Sequence, residues 1–351
     1  MKTKNELFSK LYKVKPTDKI LLMTHIDLDG SGPVVVLNKF FKNVTVRHCS
    51  NAAMSWLTRK AVIEDMTTEN FDCVIACDIS VNETDAKLIE ASENRSKFVL
   101  IDHHCTADFL NQYEWATVES NLVKDSFRAY FYEKISDDKQ KLSSGTSLLY
   151  DYLDYLGYAD HNPEFEIFVH MIASYDTWDW KNTFTDAECC YELNQLFQIY
   201  GYDIFDRIYT ERYTTMSAAE IEAFNKQNKL LLEIDTNKRE NALKNVDKNF
   251  QTGKIKIKDR VYTMCLWSGA GTYMNDVFDR MKEHWPDREL YIIAYGTGIS
   301  IRSDNPAVNV GEICKELNGG GHAAAGGFKI PENLQIGYAQ TALNATMYID
   351  H

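Results

Sequence analysis

The chain has 351 residues, with 38 Lys or Arg against 51 Asp or Glu, so its formal net charge at pH 7 is −13. Hydrophobic residues at 44% and charged residues at 25% are typical of folded globular proteins, and the length suffices for two domains. The acidic balance argues against tight binding to long duplex DNA, which needs many Lys and Arg contacts to phosphates. No apolar stretch approaches the roughly 20 residues that span a membrane, and the first ten residues lack the apolar core of a secretory signal. We therefore expect a cytoplasmic protein with no membrane partner.

The first third of the chain alternates between strand and helix patterns. Short apolar runs separated by helical stretches indicate a parallel sheet that is covered on both faces. The predicted strands span 19–24, 44–46, 71–77 and 98–101, and the predicted helices begin near residue 34 and span 83–91.

Helical patterns dominate the middle of the chain, at 147–156 and 165–173. Ser217 and Glu220 form a capping-box pattern that predicts a long polar helix ending near Val246, which would bridge two domains. Strand and helix patterns then resume. We predict an α/β fold with a parallel-sheet domain over 1–185, a helical linker over 186–246 and a smaller α/β domain with a mixed sheet over 247–351. Its predicted strands span 254–257, 261–267, 290–295 and 299–302, and its helices 274–283 and 310–317.

Acidic and imidazole side chains follow three of the predicted strands at the points where the strands end. In open α/β sheets, that edge is where ligands bind. A single Asp after a strand usually caps the next helix, and this alternative stays open for each Asp taken alone. If the chain stays extended after the first strand, its three such side chains share one face. The strand-end residues are His25, Asp27 and Asp29, then Asp78, and then Asp102, His103 and His104.

A cluster of four or more carboxylates without a cation would repel itself and destabilise the fold. The pattern therefore predicts bound cations. Mixed imidazole and carboxylate ligands suit Mn, Fe, Co or Zn rather than Ca or Mg. More ligands than one ion needs indicate two ions that share a carboxylate, and such a pair activates water for attack on a phosphorus atom.

The same residues fall into an ordered set of four motifs. The chain resembles the DHH phosphoesterase superfamily, which is named for the triplet, and the resemblance covers nearly the whole chain. The fourth motif residue is Asp176, which alone would be interpreted as a helix end or cap. The motifs are His25-x-Asp27-x-Asp29-Gly30, then Asp78, then Asp102-His103-His104, and then Asp176 within 173–178.

The resemblance extends to the second predicted domain, which looks like the DHH-associated C-terminal domain. It implies a substrate-binding site in which glycine amides and basic side chains hold a phosphate. The alternatives are a helix C-cap followed by a turn for the glycines, and an ordinary surface position for the arginine. The residues concerned are Arg302 and Ser303 of Ser300-Ile301-Arg302-Ser303, and Gly319, Gly320, Gly321 and His322 of the glycine-rich motif.

The resemblance also implies roles at the metal site, with manganese as the usual metal. It implies that His25, Asp27 and Asp78 hold one ion, and that Asp29, Asp78, His103 and Asp176 hold the other. Asp78 would then bridge the two ions. Asp102 would orient a ligating histidine, and His104 would contact the scissile phosphate.

The residue pattern of the first motif most resembles that of the NrnB-like branch of bacterial oligoribonucleases. This resemblance implies hydrolysis of short RNA to 5′-mononucleotides, with a short oligonucleotide or dinucleotide as the substrate. Three alternatives stay open: hydrolysis of a cyclic or linear signalling nucleotide, single-strand DNA exonuclease activity, and a nucleotide-binding protein that has lost catalysis. The sequence leaves the polarity of hydrolysis and the oligomeric state open, a homodimer included.

Overall fold

The computed structural model describes residues 1–67, 70–132, 141–181, 187–257, 259–317, 319–321, 323–330 and 347–349. The chain divides into two compact units, Met1–Leu232 and Glu233–His351. The domain limits at residues 185 and 247 stay predictions. In the described ranges, no helix combines the length and the apolar character that crossing a membrane requires.

The first unit contains a five-stranded parallel sheet, as predicted, with the strand order β2-β1-β3-β4-β5. All residues of β1, β3 and β4 are buried, because helices cover both faces of the sheet. The short fifth strand was not predicted. The strands are β1 (Ile20–Thr24), β2 (Val44–His48), β3 (Cys73–Cys77), β4 (Phe98–Asp102) and β5 (Ala116–Val118).

Two apolar clusters sandwich this sheet. Along β1, Ile20 belongs to one cluster and Leu21 to the other, because side chains of a strand alternate between its faces. The predicted helices near 83–91, 147–156 and 165–173 are confirmed within a few residues. The helices of this part of the chain are α1 (Lys4–Phe8), α2 (Leu28–Phe40), α3 (Asn51–Lys60), α4 (Glu83–Ala91), α5 (Gly145–Tyr155), α6 (Pro163–Asp176), α7 (Ala187–Thr214) and α8 (Ala218–Val246).

The long helices α7 and α8 follow from local sequence signals. Helix α7 is broken at Gly201, whose φ of 68° and ψ of 159° are accessible almost only to glycine. Helix α8 begins as the capping box predicts, since Glu220 accepts hydrogen bonds from the amide and hydroxyl of Ser217, each at 2.7 Å. The predicted end at Val246 is confirmed.

The second unit contains a seven-stranded mixed sheet with the strand order β10-β11-β9-β8-β7-β6-β12. Only the β7–β8 pair is parallel among the described strands of this sheet, so the predicted mixed sheet is confirmed. The predicted hairpin joins β8 to β9 and turns at Gly296. The elements are β6 (Gln251–Ile257), β7 (Arg260–Ser268), α9 (Met274–His284), β8 (Leu290–Tyr295), β9 (Gly298–Arg302), α10 (Val310–Glu316), β10 (Gly320–Gly321), β11 (Ala325–Lys329) and β12 (Met347–Ile349).

Candidate metal centre

The loop after β1 supplies the first two site residues. Asp27 is the N-cap of α2, where its Oδ1 accepts a hydrogen bond from the amide of Gly30 at 2.9 Å. Its Oδ2 lies 2.6 Å from Nδ1 of His25. Burial alone would raise the pKa of Asp27, but the hydrogen bonds with His25 and Gly30 outweigh it and lower that pKa to about 2. The carboxylate therefore both caps a helix and faces the imidazole.

Asp29 reaches the site from the first turn of α2. The three side chains would share one face only if the chain stayed extended after β1, and this condition is not met, because the chain turns helical at Leu28. Asp29 is buried, and its two carboxylate oxygens accept hydrogen bonds from the amides of Gly145 at 2.7 Å and Thr146 at 3.1 Å. The carboxylate thus sits at the N-terminus of α5, the end of a helix that favours negative charge.

Sequence reasoning missed the contribution of α5. A Cβ atom on Gly145 would lie 2.5 Å from the Cβ atom of Asp78, so only glycine lets this helix end approach the site so closely. Ser144 begins the helix with a hydroxyl that accepts from the amide of Ser147. The Ser-Ser-Gly-Thr run at 143–146 was the available signal, since it combines a helix cap with a glycine.

Asp78 occupies the residue after β3 with a left-handed backbone conformation, at φ 57°. Its amide donates to the carbonyl of Ile101 at 3.1 Å, and its Oδ1 lies 3.3 Å from Nε2 of His103. Burial raises the pKa of Asp78 well above its usual range, and the nearby carboxylates of Asp29 and Asp27 raise it further. The side chain lies at the centre of the acidic residues.

His103 and Asp176 complete this arrangement. Nε2 of His103 lies 3.5 Å from Oδ2 of Asp176, which ends α6, and 3.8 Å from Oδ2 of Asp29. Burial also raises the pKa of Asp176. Within the described ranges, Oδ2 of Asp78, Oδ2 of Asp176 and Nε2 of His103 are buried without a hydrogen-bond partner. Such buried atoms are what a cation would satisfy.

Asp102 is fully buried at the end of β4 and contacts both histidines of the triplet. Its Oδ1 accepts from the amide of His103 at 2.8 Å and lies 2.8 Å from Nδ1 of His104. Burial would lower the pKa of His104, but the contact with Asp102 outweighs it and raises that pKa to about 9. The carboxylate of Asp102 therefore orients the ring of His104, and its hydrogen bond to His103 goes to the backbone amide.

The structure brings all eight predicted residues of the first unit together. In each of three groups, the potential ligand atoms lie within 4.8 Å of one another. The buried oxygens without partners and the mutually repelling carboxylates fit divalent cations. The individual ligand roles stay predictions. The groups are His25, Asp27 and Asp78; Asp29, His103 and Asp176; and Asp78, Asp102, His103 and His104.

Two predicted substrate residues of the second unit lie at the end of β9. Arg302 is largely buried, and its Nη1 donates to the hydroxyl of Ser300 at 2.8 Å. Burial lowers the pKa of Arg302. The hydroxyl of Ser303 is buried and donates to the carbonyl of Glu289 at 2.6 Å, so this serine supports the local backbone. Their substrate-binding roles stay predictions.

The predicted glycine-rich site combines a helix end with a strand. The sequence suggested that the amide of Gly319 is available to a phosphate. In the structure this amide donates to the carbonyl of Cys314 at 2.8 Å and thereby caps α10. Gly320 and Gly321 form β10, and a Cβ atom on Gly320 would meet no atom of a described residue other than its chain neighbours within 4 Å. His322 lies outside the described residues.

Comparison with known proteins identifies the first unit. The model of the "DHH family, N-terminal domain" matches residues 19–173, a stretch that contains every residue of the candidate metal centre except Asp176. The first unit thus contains a stretch that matches the DHH family. The chain is 28% identical over 322 residues to Oligoribonuclease NrnB of Bacillus subtilis (strain 168), which covers 89% of the chain and 73% of that protein.

A second curated protein and a solved structure also resemble this chain. It is 24% identical over 350 residues to a 3′,5′-cyclic-nucleotide phosphodiesterase of Helicobacter pylori (strain ATCC 700392 / 26695), which covers 88% of the chain and 92% of that protein. Its fold resembles that of RecJ from Thermus thermophilus, solved in complex with Mn²⁺, with a TM-score of 0.53 and 13% identity. That match covers 98% of the chain and 53% of RecJ.

Proposed function

We propose that this chain is a metal-dependent phosphodiesterase that hydrolyses short RNA oligonucleotides to 5′-mononucleotides. The observation that carries the proposal is that the group with Asp78 and the group with His103, which could each hold a metal ion, lie next to each other. Where they meet, Oδ1 of Asp78 lies 3.3 Å from Nε2 of His103. Phosphodiester hydrolysis is the reaction class of both curated relatives, which are named as an oligoribonuclease and a cyclic-nucleotide phosphodiesterase.

The residues of the first unit divide between two ions in this proposal. One ion is held by His25 and Asp27. The other ion is held by Asp29, His103 and Asp176, and Asp78 is a ligand of both ions. When bound, two divalent ions, proposed as Mn²⁺ by analogy with RecJ, acidify a water molecule and neutralise charge on the phosphate. Asp29 keeps its orientation because the α5 amides hold it, so its remaining lone pairs point consistently into the site.

His104 acts on the substrate rather than on an ion. Its Nδ1 faces Asp102, which fixes the ring and favours the protonated form. A protonated ring keeps a proton on Nε2 and donates a hydrogen bond to a non-bridging phosphate oxygen. That interaction strengthens as negative charge develops on the oxygen, so it favours the transition state over bound substrate.

The second unit contributes phosphate-binding residues in this proposal. Arg302 has a planar fork of donors that suits phosphate, and its contact with Ser300 holds this fork in one orientation. Gly320 leaves room for a phosphate to approach the backbone. Ser303, Gly319 and Gly321 shape this region, and His322 is the proposed second phosphate donor.

A screen with purified protein tests the proposed substrate. Labelled RNAs of two to five nucleotides, DNAs of the same lengths, cyclic nucleotides and long single-stranded RNA are incubated with Mn²⁺, Mg²⁺, Co²⁺ or a chelator. We expect 5′-mononucleotides from the short RNAs with Mn²⁺ and no product with chelator. Asp78→Asn serves as the inactive control. Full activity with chelator, or cleavage confined to DNA, would contradict the proposal.

Hydrolysis of a signalling nucleotide is the second candidate, and the Helicobacter pylori relative favours it. The same centre suits this reaction because the bond cleaved is again a phosphodiester. The two candidates differ in the substrate that the protein prefers. A kcat/KM for a cyclic nucleotide at least tenfold above that for dinucleotide RNA would replace the first candidate by the second.

A further inference from the structure

His48 lies at the C-terminal end of the edge strand β2, directly beside Thr24 in the β1–β2 pairing. Its side chain is only 7% exposed. Nδ1 lies 2.8 Å from the carbonyl oxygen of His25, and Nε2 lies 2.6 Å from Oδ2 of Asp206. A carbonyl only accepts hydrogen bonds, so Nδ1 of His48 is the donor to His25.

Helix α7 holds the other side of the His48 ring. The break at Gly201 precedes Tyr202, whose ring centroid lies 4.4 Å from that of His48. Asp206 follows one turn later and supplies the carboxylate. The ring of His48 is thus fixed at both nitrogens and on one face, which leaves it little freedom to move.

The carbonyl of His25 is also confined by α2. A Cβ atom on Gly30 would lie 2.2 Å from this oxygen, so the backbone of α2 packs directly against the peptide. The side chain of the same residue, His25, reaches Oδ2 of Asp27 at 2.6 Å. Rotation of the His25 peptide would therefore shift an imidazole that belongs to the metal centre.

We propose that His48, held by Asp206, is a positioning residue that fixes the His25 peptide and thereby orients the His25 imidazole towards its metal ion. The inference rests on the metal site of the proposed function. Asp206 lies beyond the stretch 19–173 that matches the family, so the contact brings a helix from outside that stretch to the centre. Loss of a hydrogen bond behind a metal ligand commonly weakens metal binding by about 10–100-fold.

Calorimetric titration of metal-free protein with Mn²⁺ alone tests the inference. His48→Phe keeps a ring against Tyr202 but removes both hydrogen-bonding nitrogens, and we expect the affinity for one of two ions to fall about tenfold or more. His48→Asn places an amide donor near the position of Nδ1 and should restore most of the affinity. His161→Asn is the control, because both ring nitrogens of His161 likewise face oxygen acceptors, those of Asp154 and Glu166, but its side chain is 60% exposed and does not contact the centre.

A double variant tells whether His48 acts through His25. In a His25→Ala background, His48→Phe should cause no further loss of Mn²⁺ affinity, because the ligand that it positions is already absent. Unchanged affinity in His48→Phe, or equal losses in His48→Phe and His48→Asn, would overturn the inference. If His48→Phe does not fold, a tenfold loss in His48→Asn overturns it. Failure of the unaltered protein to bind Mn²⁺ would instead refute the proposed metal site.

Discussion

Asp78 combines several unfavourable features in one residue. It is buried, it has a left-handed backbone that non-glycine residues seldom adopt, and other carboxylates surround it. The hydrogen bond from its amide to Ile101 and the close approach of Gly145 hold it in this state. A residue under such constraint is best explained by a function that needs a carboxylate at this point, and a shared metal ligand is such a function.

Replacement of Asp78 should affect activity and stability in opposite directions. Asp78→Asn keeps the shape of the side chain, and Asn tolerates the left-handed conformation. Activity should fall below a few per cent, because both ions lose a charged ligand. The metal-free variant should be more stable than the metal-free parent at pH 8, by about 1–2 kcal/mol, because repulsion is relieved. Urea unfolding measures this difference, and a less stable metal-free variant would contradict it.

His170 is a buried histidine outside the metal centre. Its ring stacks on Phe131 at a centroid distance of 4.0 Å, and its Nδ1 accepts from Nε of Arg128 at 3.3 Å. Burial, reinforced by the charge of Arg128, lowers the pKa of His170 to about 2. The ring is therefore neutral in the folded protein throughout the physiological range of pH.

This shift predicts a loss of stability in mild acid. Below the unfolded-state pKa of about 6.5, the unfolded chain takes up a proton at His170 and the folded chain does not, so acid favours unfolding. Between pH 7 and pH 5, this group should lower the free energy of unfolding by about 2 kcal/mol. The pH dependence measured for His170→Gln should lack that contribution. If the free energy of unfolding changes equally with pH in the two proteins, the histidine becomes protonated in the folded state as well.

At the scale of elements, the N-terminus of α5 organises the metal centre. Its first amides hold Asp29, and the absence of a side chain at Gly145 lets it pack against Asp78. A hydroxyl cap at Ser144 fixes where the helix begins. One helix end therefore sets the distance between the two carboxylates, which come from the first turn of α2 and from the end of β3.

Gly145→Ala should disturb both stability and metal binding. The added methyl group would clash with Asp78 and push α5 away, which we expect to cost about 1–3 kcal/mol of unfolding free energy and to weaken Mn²⁺ binding. Gly320→Ala is the matched control for stability, because its Cβ atom meets open space. Thermal unfolding with and without Mn²⁺ measures both effects. Equal stabilities of the two variants would contradict the tight packing.

At the scale of the whole molecule, net charge and the metal centre act together. The chain carries a formal charge of −13, and its buried carboxylates converge at one sheet edge. A negative overall charge disfavours long polyanions, and the proposed cations would locally reverse the potential at the metal centre. Under the proposed function, charge would therefore favour a short substrate bound at that centre.

Metal should contribute measurably to the stability of the folded chain. Mn²⁺ at a hundred times its dissociation constant should add about 2.7 kcal/mol per site, which corresponds to a Tm rise of about 5–10 °C for a unit of this size. Scanning calorimetry with chelator and with Mn²⁺ measures the rise. Asp78→Asn should show a much smaller one. An equal rise in the variant would place the stabilising metal elsewhere.

Local signals predicted much of this architecture. Strands β1, β3 and β4 were predicted because apolar runs buried on both faces leave a clear pattern, and α8 because Ser217 and Glu220 mark its start. Strand β5 has only three residues, and β10 consists of two glycines, so neither carries a pattern that distinguishes it from a loop. The chain does not stay extended through Asp27, because Asp27 caps α2 and the helix begins at the next residue.

The sequence by itself determined the α/β class, the order of the site residues and the type of chemistry, because strand periodicity and ligand chemistry are local properties. Only the tertiary structure decided that Gly145 lets α5 pack against the metal centre. It also decided that the carboxylate of Asp102 contacts the ring of His104, and that the carboxylate of Asp206 contacts the ring of His48. These contacts join residues from different elements. Their geometry depends on how helices pack on the sheet, and no local pattern encodes a distance between side chains that are far apart in the chain.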